Sequence, residues 1–346
     1  MKFNVRMLIY PIFVSALVMA VVEQSNLSKQ TSAEQSGLDF NFVAAGDWGC
    51  KNDAKNTFTM MKKMEPELYL TLGDYSYEPS LNCWYDIVKP AGSALKVVVG
   101  NHDADGSLLH NLLNKFDMAR QYYSFDYGNA HFLGLSSELD SGEDKGQFEF
   151  ANADLAKAES NPNTDWIIVY FHRPFYSGSG ADNTGMRDLY HPLFQKYNVD
   201  LVLTGHAHNY QRSYPLNYND ARPGRPLIMN NEKSPYINEL GIVFVIVGTG
   251  GESIQGVDGK PFLASIYEGF GCLDVQIHGK SLSAEFYSDK GNTIDHFVII
   301  KDQDSQISDS KESLHQIGYN NHHTSAIENG SRPTAPLGNQ FIDRYK

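Results

Sequence analysis

Five apolar runs in this chain end in residues that can hold a metal ion, and that repetition constrains the fold more than any other feature. Phe40-Asn41-Phe42-Val43-Ala44-Ala45 runs into Gly46-Asp47. Leu68 to Leu72 runs into Gly73-Asp74, with Tyr77 close behind. Leu95 to Val99 runs into Gly100-Asn101-His102-Asp103. Trp166 to Phe171 runs into His172, and Val199 to Thr204 into Gly205-His206-Ala207-His208. Short apolar runs bounded by turn formers read as strands. A single Asp or Asn beside glycine has an ordinary reading as a turn former. Five in succession argue for one shared site, because ligands of open α/β sheets gather beyond the carboxyl ends of the strands.

The donor types are chemically consistent. Asp47, Asp74 and Tyr77 offer oxygen, Asn101 an amide oxygen, and His172, His206 and His208 nitrogen. This mixture suits two first-row metal ions rather than calcium or magnesium alone. A carboxylate such as Asp74 can bridge two ions with its two oxygens. Two ions ~3.5–4 Å apart can activate a water and clamp the oxygens of a transferring phosphoryl group. His102, next to Asn101, reads as a catalytic group rather than a ligand. It is placed to hydrogen-bond a phosphate or to protonate a leaving alkoxide. Asp103 either orients His102 or is a plain turn residue.

Between the strands the pattern is helical at Asn56 to Met64, Gln147 to Glu159 and Met186 to Lys196. Gln121 to Leu135 reads as a hairpin around Asp126-Tyr127-Gly128-Asn129. Ile242 to Val247, Cys272 to Ile277, Ser281 to Phe286 and His296 to Ile300 are further strands. The early alternation of strand and helix argues for βαβ units, and the later half is antiparallel in character. The expected fold class is α/β, with two mixed sheets packed as a sandwich and helices outside.

The formal net charge is -13 and no basic cluster stands out along the chain. That sets nucleic acid aside as a partner, since such binding needs Lys and Arg to neutralise phosphates. A small anionic substrate stays compatible where the site carries metal charge of its own. Lys2 and Arg6 precede an apolar run from Met7 to Val22, shorter than the ~20 residues of a spanning helix and containing Pro11. Residues 1–22 therefore read as a secretory signal, with an uncleaved anchor as the alternative. Residues 23–38 read as a polar linker, 39–302 as the catalytic domain and 303–346 as a polar, disordered tail. His315, His322 and His323 in that tail form at most a weak metal tract, and Asn26 and Asn329 match the glycosylation pattern. Cys50, Cys83 and Cys272 allow one bridge and one free thiol, and export would suit such a bridge.

Taken in order, the motifs Gly46 to Gly49, Gly73 to Tyr77, Gly100 to Asp103, Val169 to His172 and Gly205 to His208 resemble those of the calcineurin-like metallophosphoesterases. Within that superfamily they resemble the purple acid phosphatases. Most members carry a histidine where Gly49 stands, and Tyr77 compensates as it does in the purple subfamily. A tyrosine phenol titrates near 10 on its own, so binding as phenolate near neutral pH calls for a strongly charged ion. The resemblance implies Fe(III) held by Asp47, Asp74, Tyr77 and His208. It implies a second divalent ion (Fe, Zn or Mn) held by Asp74, Asn101, His172 and His206. It further implies a four-layer α/β/β/α fold and an exported acid phosphatase of the small, single-domain, tartrate-resistant type. That enzyme would hydrolyse small phosphate monoesters by direct attack of metal-bound hydroxide on phosphorus. Arg173-Pro174-Phe175-Tyr176 and the loop Ser177 to Gly185 would border its substrate. A phosphodiesterase or nucleotide-cleaving enzyme on the same fold, a non-catalytic binding protein, and redox chemistry at an iron pair are the competing readings. The oligomeric state is left open.

Overall fold

The computed structural model describes residues 39–139, 145–238 and 240–301. The segments expected as leader, linker and tail, with the glycosylation and histidine motifs on them, lie outside the described residues. The rest forms two seven-stranded sheets. In the first, β1 (Asp39–Ala45), β2 (Leu68–Thr71) and β3 (Leu95–Val97) run parallel, with β3 at one edge. In the second, β4 (Tyr123–Tyr127) is the edge, followed by β5 (Ala130–Gly134), β6 (Trp166–Tyr170) and β7 (Leu201–Thr204). The short strands β9 (Leu216–Asn217) and β10 (Leu227–Ile228) pair apart from both sheets. The second sheet is completed by β12 (Val243–Val247), β8 (Tyr210–Ser213) and β13 (Leu263–Tyr267). The first is completed by the antiparallel run β14 (Gly271–His278), β15 (Ser281–Ser288) and β16 (Thr293–Ile300), with β11 (Tyr236–Ile237) beyond it.

The sequence of β6 shows why the sheets stack. Side chains alternate along a strand. Trp166, Ile168 and Tyr170 enter the core between the two sheets, while Ile167, Val169 and Phe171 enter a second core on the other face. A strand buried on both faces reads as a continuous apolar run, as this one does. In the inter-sheet core Phe42 of β1 meets Phe132 of β5 edge-on at 5.3 Å, and Tyr210 of β8 stacks on Phe286 of β15 at 4.1 Å. The outer core is closed by α4 (Lys145–Ser160) through Ala151 and Leu155, and by α5 (Thr184–Lys196) through Tyr190 and Phe194. On the far side α1 (Asn52–Lys63) buries Ala54, Phe58 and Met61. The layers are those expected: helix, sheet, sheet, helix.

Two further helices were not legible as helices. In α2 (Asn82–Val88), Trp84 is fully buried and stacks on Tyr75 at 4.0 Å. Tyr75 in turn donates to the Val98 carbonyl at 2.6 Å and accepts from the Val98 amide at 3.0 Å. A disulfide from Cys50 to Cys83 ties α2 to the loop after β1, and Cys272 is a buried free thiol. In α3 (Gly106–Lys115) Leu112 is buried, and Leu108 and Leu109, one turn earlier, pack partly buried against the same core. Among the described residues no helix is long and apolar enough to cross a membrane.

Candidate metal centre

All seven expected donors converge where β1, β2, β3, β6 and β7 end. They fall into two groups that share Asp74. In the first, the Tyr77 hydroxyl lies 3.2 Å from Asp47 Oδ1, 3.2 Å from Asp74 Oδ2 and 3.0 Å from His208 Nε2. His208 Nε2 is 3.3 Å from Asp47 Oδ1. In the second, His172 Nε2 lies 3.2 Å from Asp74 Oδ2 and 3.1 Å from Asn101 Oδ1. Donor atoms of Asp74, His172 and His206 all lie within 4.8 Å of one another, close enough to share an ion.

Two features test whether the donors fit metal ions. Asp47 and Asp74 are buried to 0% and 1% exposure, and among the described residues neither has a Lys or Arg partner. Buried charge without a counter-ion is costly. Here imidazole rings, a phenol and the backbone amides of His102 and His206 face it. Burial and the two carboxylates push the Tyr77 phenol far above its ordinary range. Burial opposes charge on His172, yet Asp74 holds its pKa up at about 10. Burial would likewise raise Asp74, and His172 holds it down at about 2. A proton on His172 thus occupies the place a cation would take. The donor set fits two cations.

Comparison with known proteins speaks to the family and the fold. A family model described as Calcineurin-like phosphoesterase matches residues 40–210, a span that contains every one of the seven donors. The chain belongs to the calcineurin-like phosphoesterases. Among its relatives, purple acid phosphatase 22 of Arabidopsis thaliana is 27% identical over 215 residues, covering 56% of this chain and 49% of that protein. The chain spans about half the length of these curated relatives. A purple acid phosphatase from yellow lupin (Lupinus luteus) seeds superposes with a TM-score of 0.65 at 23% identity, covering 77% of this chain and 54% of that one. GAP50, described as the anchor in the inner membrane complex of Plasmodium, superposes with a TM-score of 0.60 at 17% identity, covering 87% and 100%. These two likenesses speak to the fold.

In this calcineurin-like phosphoesterase a second layer fixes His172, His208 and the Asp74 loop. His172 Nδ1 lies 2.7 Å from the Leu72 carbonyl and His208 Nδ1 2.7 Å from the Ser253 carbonyl. A carbonyl only accepts, so both Nδ1 atoms carry protons and both Nε2 atoms face the centre. The Asp103 carboxylate accepts from the amides of Asp74, Tyr75 and Gly100 at 2.7, 3.1 and 3.0 Å. It therefore pins the second motif to the third rather than orienting His102. The backbone amide of His102 donates to Asp74 Oδ1 at 2.8 Å, while its side chain is 51% exposed and its ring lies 4.4 Å from the Tyr77 ring. Gly100 leaves room for this: a Cβ there would lie 2.2 Å from Asp74 Oδ1. Where superfamily members carry histidine, Gly49 instead admits Glu252, whose carboxylate would meet a Cβ at 2.7 Å and pairs with Lys51 at 3.0 Å.

Strain concentrates at the same residues. Asp47, Asp74, Tyr77 and His206 have φ of 60°, 54°, 54° and 68°, a left-handed backbone that costs roughly 1–3 kcal/mol per residue. One contact had no distinct sequence signal. Arg173 Nη1 donates to His206 Nε2 at 3.2 Å, and its Nε pairs with Glu138 at 2.9 Å. The sequence marks Arg173 only as a rim residue and gives no sign of Glu138. Burial first, then His172 and Arg173, hold His206 neutral, with a pKa of about 3.

Proposed function

We propose that this chain is a dimetal phosphomonoesterase of the purple acid phosphatase type. The observation that carries the reading is the division of seven donors into two groups sharing Asp74. Asp47, Asp74, Tyr77 and His208 would hold Fe(III). Asp74, Asn101, His172 and His206 would hold a divalent ion (Fe, Zn or Mn). When bound, the ions supply positive charge that polarises a phosphoryl group and makes water more acidic. The protein's own part is positioning. The carbonyls of Leu72 and Ser253 fix the ring orientations of His172 and His208, and Asp103 holds the Asp74 loop. His102, exposed beside Tyr77, donates a proton to the ester oxygen as the bond from phosphorus to that oxygen breaks and the bond to the water oxygen forms. The Cys50–Cys83 bridge supports placement in an oxidising compartment, and so secretion. The likeness to GAP50 favours a second reading, a non-catalytic anchor on the same fold. The complete donor set speaks against it.

The test is an absorption spectrum of the iron-loaded protein beside the Tyr77→Phe variant, with hydrolysis of a simple aryl phosphate followed in both. A visible band in the wild type that vanishes in the variant, together with hydrolysis, is the expected result. A colourless, inactive wild type would overturn the reading and favour the anchor.

A further inference from the structure

We propose that a second site, for a small aromatic anion, lies at the edge of the sandwich, apart from the metal centre. A cavity of about 600 Å³ opens where β3 meets β4. That volume lies within the range of small-molecule sites. None of the seven metal donors lines it.

Its charge is unlike that of the molecule. Lys89, Lys96, Lys115 and Arg120 line it against one carboxylate, Asp117. The chain as a whole carries 41 acidic residues and only 28 Lys and Arg, so four cations to one acid reverses the average. Lys89 pairs with Asp86 at 2.9 Å. Among the described residues, Lys96, Lys115 and Arg120 form no ion pair. They rest on rings, and Lys96 Nζ also donates to the Ser93 carbonyl at 3.3 Å. Lys115 Nζ lies 3.9 Å from the centre of the Tyr85 ring, and Lys96 Nζ 5.0 Å from that of Phe125. The Arg120 guanidinium sits 4.8 Å from the Tyr122 ring and 4.7 Å from that of Phe150. A ring orients a cation without neutralising it, so these charges are held in place and available to an anion.

The walls specify the rest of the ligand. Tyr85, Phe116, Tyr122 and Tyr123 give the cavity aromatic surface, which favours a planar ring by stacking. A ring bearing a sulfonate, carboxylate or phosphate matches both features. Site and metal centre are joined by two elements. Asn101 and His102 follow β3, while the far end of α3 supplies Lys115.

The test is calorimetric titration of the full chain at low ionic strength with naphthalene-1-sulfonate, a ring anion that a phosphatase does not cleave. Saturable binding of one molecule per chain is expected, unchanged after treatment with a chelator. Affinity should fall at least tenfold in the Lys115→Gln/Arg120→Gln variant. Methanesulfonate, which lacks the ring, should bind at least tenfold more weakly. Both substituted side chains are exposed, and unaltered circular dichroism and melting temperature would show the variant folded. Absence of saturable binding, equal affinity in the variant, or loss of binding on chelation would overturn the proposal. None of these readouts depends on the chain being a phosphatase.

Discussion

At the scale of single residues, the centre is legible because its chemistry demands residue types that do little else at strand ends. Asp47, Asp74, Asn101, His172, His206 and His208 each follow an apolar run, and the fold brings the runs together. Tyr77 is legible only against the missing histidine at Gly49. Asp103 shows where sequence reading stops. Its three amide contacts depend on how two loops meet, which neither loop encodes alone. The same holds for Glu138, which reaches Arg173 across 35 positions of chain. A residue outside the centre makes a prediction about pH. His191 is fully buried on α5, 2.8 Å from the Tyr176 hydroxyl, and burial holds its pKa down at about 3. The unfolded chain takes up this proton first, near 6.5. The stability contributed by the neutral ring is thus complete above that value and is lost as pH falls from there towards 3. Urea unfolding should show the wild type losing about 1.4 kcal/mol more per pH unit than His191→Gln between pH 6 and pH 4. Parallel curves for the two proteins would contradict this.

At the scale of elements, the strands facing two cores are legible because burial on both faces leaves continuous apolar runs. β8 is hidden for the opposite reason. Its sequence, Tyr210-Gln211-Arg212-Ser213, looks solvated, yet all four residues are buried. α2 is hard to read because it is a single short helix, anchored by Trp84 and Val88 and by the bridge at Cys83. That bridge closes a segment carrying Asp74 and Tyr77 between Cys50 and Cys83, 33 positions apart. Chain-entropy arguments give such a loop about 3–4 kcal/mol of stability. Replacing both cysteines by serine should lower the unfolding free energy by roughly that amount in chemical denaturation. A change under about 1 kcal/mol would mean the unfolded segment is already compact.

At the scale of the whole molecule, the two sheets are joined by more than apolar contact. Arg212 of β8, in one sheet, grips Asp295 of β16, in the other, through Nε at 2.6 Å and Nη2 at 2.9 Å. Tyr210 and Tyr236 complete the network at 2.7 Å each, with Arg212 1% exposed. Removing one partner strands a buried charge. Arg212→Met should therefore cost about 3–5 kcal/mol in denaturant unfolding, and adding Asp295→Leu should recover much of it. Equal losses in the single and double variants would contradict that account.

The central claim is that seven residues from five strand ends hold two metal ions with Asp74 common to both. The direct measurement is metal content by mass spectrometry of protein purified under metal-replete conditions, wild type beside Asp74→Asn. The account predicts two equivalents per chain in the wild type, iron among them, and at most one in the variant. Two equivalents in both proteins, or none in the wild type, would contradict it.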